Sequence, residues 1–399
     1  MLRNHYRAGY KFSGHATVLL LIVLLTASTD NAWSRDAWSD AAHLCHAPDG
    51  VAFASKGPIN QRQYPDNCDD GDSTLFNGLL CASGDTRGCE AVKRSLSLTG
   101  GTEEGRFWRS TRRAQTNNYH FESGQPYDGD AGNDKSFSPD QELGVLLYAV
   151  TTHDKSSVEL WFNWMDHHRP CVSNQLGSSG CGYRGLPRYC EHENCTMRPI
   201  DRDMDDAVFG ALGGTSPAGI RHYRQIATTL SLPLTSLIPF LNIPIQTYLG
   251  MSVGDKVYYE ASRNPPNFPM HLSAIRAWLL IKINHVDQQR AHQTISMIAG
   301  KQPENAFYQY LNEGATPKVA ALVKQYCPAP SQSRGGDLIH WTWESDSSQW
   351  TIPAKIDNGK PSSMLWDCIF MRNLLGESGK KLGMDYGGTQ STISSLLLQ

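Results

Sequence analysis

The chain has 399 residues, 40% hydrophobic, 10% aromatic and 19% charged. It can bury a sizeable core and is not a disordered, collagen-like or simple coiled-coil sequence. A formal charge of −3 without a long Lys/Arg block removes the electrostatic footprint of a nucleic-acid binder.

Arg3, Arg7 and Lys11 precede an apolar run from Thr17 to Ala27, and small residues follow at Ala32 and Ser34. That is the pattern of a secretory signal, and its apolar run is too short for the roughly 20 residues of a spanning helix. Residues 1–34 are read as a signal peptide and 35–399 as a single helical domain, because no Pro/Ser linker divides the remainder. Ten cysteines, an even set behind a signal, predict disulfides in an oxidising compartment and a secreted or periplasmic protein.

The first acidic run, Asp66 to Asp72, leads into an apolar helical pattern ending at Cys81, and a second helix follows from Cys89 to Ser95. Cys81 and Cys89 flank the turn between them and are the best local pair. Asp70 and Asp72 are candidate acid/base groups; the competing reading of Asp72 is a helix cap. The segment 105–120 carries Arg106, Trp108, Arg109, Arg112, Arg113, Tyr119 and His120, a set suited to neutralising a sugar carboxylate and stacking on a ring. Asp128, Asp130 and Asp134 crowd oxygen ligands as calcium loops do, but without the glutamate at the twelfth position. A calcium site and a polar surface loop are the two readings, and no other cofactor is expected.

A second apolar helix over Ser138–Tyr148 opens with Asp140 and Glu142, and a more amphipathic one covers Ser157–Met165. Four cysteines between Cys171 and Cys195 staple a polar stretch that lacks periodicity. His167, His168 and His192 lie nearby, but the spacings of a zinc site are missing. A third acidic helix pattern, Asp203–Leu212, brings Asp203, Asp205 and Asp206, with a partner helix over Ile220–Ile226. Residues 231–251 are apolar for about a bilayer's thickness, yet three prolines argue against a spanning helix. A buried or surface-lying segment is expected there, with membrane or partner contact as the alternative. Lys256–Glu260 and His340–Trp343 are the best strand candidates. His271 opens a fourth apolar helix to Lys282, as catalytic base or cap, followed by a helix over Gln288–Ile298. Trp341, Trp343 and Trp350 cluster in a polar segment suited to lining a groove, and a last apolar helix runs over Ser362–Met371.

Apolar helices that must be covered on most faces alternate here with amphipathic ones that can face solvent. The alternation resembles the (α/α) toroid of many glycoside hydrolases and polysaccharide lyases, and implies inner and outer helix rings with long disulfide-stapled loops. In such a toroid, loops at one end of the inner ring build a sugar cleft. On that resemblance Asp70, Asp72, Asp140, Asp203 and His271 are the catalytic candidates. Trp108, Arg109, Arg112, Tyr119, His120, Trp341 and Trp343 are the polysaccharide-binding candidates. The acidic helix entrances favour hydrolysis over lyase chemistry, which needs a His or Tyr base. No Gly-x-Ser-x-Gly elbow, phosphate loop, dinucleotide fingerprint or His-Glu-x-x-His motif is present. The alternative from another class is a secreted noncatalytic helical protein that binds a glycan or a protein.

Overall fold

The computed structural model describes residues 45–47, 50–54, 72–98, 100–111, 137–173, 181, 183–190, 195–217, 245–265, 268–326 and 366–381. It is mainly α. The helices are α1 (Ser73–Ala82), α2 (Thr86–Arg94), α3 (Pro139–Thr152), α4 (Lys155–His167), α5 (Pro199–Ala211), α6 (Ile245–Gly250), α7 (Val253–Arg263), α8 (Phe268–Lys282), α9 (Gln288–Lys301), α10 (Ala306–Glu313), α11 (Pro317–Tyr326) and α12 (Trp366–Lys381). Two short antiparallel pairings accompany them: β1 (Cys45–His46) with β2 (Ala52–Phe53), and β3 (Cys171–Ser173) with β4 (Tyr183–Arg184).

Every residue of α1 is buried, as its all-round apolar character requires. It packs backbone to backbone on α3. A Cβ on Gly78 would stand 2.3 Å from the Gly144 carbonyl oxygen, and one on Gly144 would stand 2.2 Å from that of Thr74. Only glycine at both positions allows this approach. On another side α2 closes over Gly88, where a Cβ would meet the Asn77 carbonyl at 2.5 Å, and the Cys81–Cys89 disulfide locks the turn. The Phe76 and Trp366 rings, 4.6 Å apart and stacked, tie α1 to α12.

Cys171–Cys181 and Cys190–Cys195 are also bonded, and Cys368 is disulfide-bonded as well. The Cys171–Cys181 and Cys190–Cys195 bonds staple the stretch between α4 and α5 as expected, and Cys81–Cys89 is the anticipated local pair.

The strand expected at Lys256–Glu260 is instead the middle of α7. Ser252 caps that helix through its hydroxyl and the Asp255 N–H, and Lys256, Val257 and Ala261 are buried on one face. The Val-Tyr-Tyr run reads as strand in isolation, but i, i+4 burial against neighbouring helices overrides that preference. No described helix is long and apolar enough to cross a membrane. Of the apolar stretch 231–251 only 245–251 is described; it includes α6 and buries Tyr248 and Leu249. Ile220–Ile226 and His340–Trp343 lie outside the described residues.

Candidate active site

Asp72 stands at the N-terminus of α1, yet its side chain does not cap the helix. The Arg109 carbonyl takes that role. It accepts from the Thr74 N–H at 3.2 Å, from the Ser73 hydroxyl at 2.9 Å and from the Thr74 hydroxyl at 2.8 Å. With the Thr74 N–H satisfied from outside, the Asp72 carboxylate is turned to other partners. Its Oδ1 accepts from the Arg109 guanidinium at 3.1 Å and from the Gln141 amide at 2.9 Å.

The Gln141 amide nitrogen also donates to Asp140 Oδ2 at 2.7 Å. Its oxygen accepts from the Ser138 N–H at 2.8 Å, completing a capping box with Pro139 in the first turn of α3. The glycine crossing of α1 and α3 thus brings two carboxyls from separate helix entrances onto one amide. Both are buried, with exposures of 3% for Asp72 and 5% for Asp140, and Arg109 is the partly exposed edge of the group. Burial, and after it the neighbouring Asp72, push the Asp140 carboxyl up to about 7, against the pull of Arg109. Asp140 therefore holds its proton near neutral pH while sharing a hydrogen-bond donor with a second carboxyl.

The other candidates are not part of this group. Asp203 was expected at a helix entrance, but α5 starts earlier, at Pro199, with Asp201 in its first turn; proline suits that position because its missing N–H is not needed there. Asp203 sits a turn further on and pairs with the buried Lys256 and with Arg202. His271 is the fourth residue of α8, fully buried, 6.1 and 6.4 Å from the rings of Phe307 and Tyr308. Both of its ring nitrogens lack a hydrogen-bond partner among the described residues, and burial pushes its pKa down to about 3. It does not cap its helix. Trp108 is buried under the Arg106 guanidinium, 3.9 Å from the ring centre, so its ring packs inward and is not an open platform for a sugar. Asp70, Arg112, Tyr119, His120, Trp341, Trp343 and the candidate calcium ligands Asp128, Asp130 and Asp134 lie outside the described residues. Among the described residues no group of three or more His, Cys, Asp or Glu is arranged to hold a metal.

No protein family, curated relative or solved structure matches the chain.

A second set of acids lies on α3 and α5. Asp201, Asp205 and Glu142 are all fully buried. Asp201 accepts from Arg198 through Nε and Nη2, each at 2.8 Å, and from Arg276 of α8 at 2.8 Å. Although burial works against ionisation, those two guanidinium groups hold Asp201 below the usual carboxylate range. Burial and then Asp201 push Glu142 up to about 8, and burial and then Glu142 push Asp205 well up. Glu142 and Asp205 belong to the second and third acidic helix entrances of the sequence. Gln141 and Asp201 were not among the candidates, although the Ser-Pro-Asp-Gln start of α3 and the Pro-Ile-Asp start of α5 mark them.

Proposed function

We propose that the chain is a secreted carbohydrate-active enzyme that cleaves glycosidic bonds of a polysaccharide, with Asp140 as general acid and Asp72 as its carboxylate partner. The observation that carries this reading is the pair itself: Asp140 keeps its proton near neutral pH beside Asp72, which Arg109 and Gln141 hold. Glycoside hydrolysis needs one protonated carboxyl to assist the leaving oxygen and one ionised carboxylate on the other side of the bond. Asp72 Oδ1 and Asp140 Oδ2 share one nitrogen at 2.9 and 2.7 Å, so they lie under about 6 Å apart. That upper limit is shorter than the roughly 6.5–9.5 Å of an inverting pair, which favours a retaining arrangement. Asp72 then serves as nucleophile, and Asp140 protonates the leaving oxygen and afterwards activates water. The disulfides support an oxidising compartment. With the reaction goes the toroid arrangement: the burial of α1, α3 and α8 supports them as inner-ring helices.

The test is incubation of the purified protein with a polysaccharide array, read for new reducing ends and for the absorbance of unsaturated uronate. Reducing ends without uronate absorbance, lost in Asp140→Asn and Asp72→Asn, are expected. Uronate absorbance makes the enzyme a lyase. The second reading, a noncatalytic helical protein that binds a glycan or a protein, is favoured by the burial of both carboxyls and predicts no product on any glycan.

A further inference from the structure

Glu142 of α3 and Asp205 of α5 lie within hydrogen-bond reach of each other, and among the described residues no cation is theirs alone. The nearby cations have other partners: Arg198 and Arg276 converge on Asp201, Arg276 also faces Glu260 of α7 at 3.7 Å, Arg202 pairs with Asp206 and Asp203, and Lys256 pairs with Asp203. All four carboxyl oxygens of Glu142 and Asp205 are buried without a hydrogen-bond partner among the described residues, as is the Tyr189 hydroxyl beside them. Two ionised carboxylates are acceptors only and cannot bond each other; they do so once one carries a proton. Two uncompensated negative charges in a dry interior are far costlier than one shared proton.

We propose that Glu142 and Asp205 hold a shared proton and form a latch between α3 and α5, which opens when the proton is lost at alkaline pH. Among the described groups facing the latch, the Tyr189 hydroxyl favours an ionised Glu142, as do Arg276 and Arg198, but burial and Asp201 outweigh them. From α5, Asp201 and Asp206 repel a second negative charge, and the two arginines that attract one are bound to Asp201. On the other side of the α3 entrance, Asp140 faces Asp72 and Arg109 of the first pair. A group whose protonated form the fold favours contributes stability that is complete below the ordinary carboxyl range and is lost as pH rises through its folded value, here about 8 for Glu142. Asp140 lies two residues from Glu142 in the same turn, so release of the latch also displaces the proposed acid. The latch itself does not rest on the reaction proposed above.

The experiment is thermal melting from pH 6 to 9.5 in the Asp140→Asn background, which removes the first pair's titration, with Glu142→Gln and Asp205→Asn added singly and together. The parent should lose Tm steeply across this range. Either single variant should remove more than half of that loss, and the double variant should remove little more than the better single one, because the proton is shared. An infrared spectrum of the parent supplies a reading free of folding defects: a protonated-carboxyl C=O band present at pH 7 and gone at pH 9.5. An alkaline Tm loss of full size in both single variants, or no such band at pH 7, overturns the latch. A Tm at pH 7 that falls on adding a chelator also overturns it, because the carboxylates are then held by a metal ion and not by a proton.

Discussion

Asp140 and His271 are both buried titratable groups, and their surroundings push them in opposite directions. Asp140 shares Gln141 with a second carboxyl and keeps its proton up to about pH 7. Replacing it by Asn keeps the shape and removes the titratable proton. Turnover on the glycan identified by the array should fall by about 10² to 10⁴-fold, the usual contribution of a general acid, while the melting temperature at pH 6 stays near wild type. Unchanged turnover would remove Asp140 from the mechanism. His271 has no hydrogen-bond partner among the described residues and stays neutral down to about pH 3. Its folded value lies below the unfolded 6.5, so the stability it permits is complete above pH 6.5 and is lost as pH falls toward 3, by up to about 1.4 kcal/mol per pH unit. Urea melts between pH 7 and pH 4 should show that loss as a difference from His271→Phe, whose stability should gain more on acidification than wild type because the buried acids act the other way. An equal acid slope in the variant would show that the imidazole is not buried neutral.

At the scale of elements, the site exists because two helices cross without side chains between them. Gly78 and Gly144 let α1 and α3 approach closely enough for their N-termini to share Gln141. A methyl group at either position forces the backbones apart, and overpacking of this kind costs about 1–3 kcal/mol. Gly144→Ala should therefore lower Tm by several degrees and weaken catalysis more than stability alone explains, because Asp72 and Asp140 separate. A Gly144→Ala protein with wild-type Tm and turnover would show that the crossing is not tight. The Cys81–Cys89 bond closes a short loop between α1 and α2, and Cys81→Ser with Cys89→Ser should cost about 2–3 kcal/mol, measured by urea denaturation. Helix starts were legible where proline or a capping residue marked them, as at Ser138-Pro139. At α7 the start signal, Ser252, was present, but the apolar aromatic run behind it pointed to a strand, and only packing on neighbouring helices decides between the two.

Over the whole molecule, the buried acids and the buried histidine oppose each other in mild acid. Between about pH 4 and 6.5 loss of the His271 proton in the unfolded chain raises stability, while Asp140 and Glu142, protonated when folded and ionised when unfolded, lower it. Above about pH 6.5 the histidine contribution is complete, so Tm should fall from there to about pH 8. A Tm profile flat from about pH 6.5 to 8 would contradict both acid assignments. The mainly helical class, the positions of most helices and the short-range disulfide were determined by the sequence alone, because they depend on apolar spacing, capping residues and separations of a few residues. The acids at the helix entrances were visible in the same way, as residue types beside a helix start. Which of them meet was decided only by the tertiary structure. The Arg109 carbonyl, 37 residues from Asp72 in the chain, caps α1 and turns Asp72 toward Gln141, while Lys256, 53 residues from Asp203, takes Asp203 into an ion pair. Local spacing carries no information about partners so far away, and proton affinity in a protein interior is set by those partners and by the water they exclude.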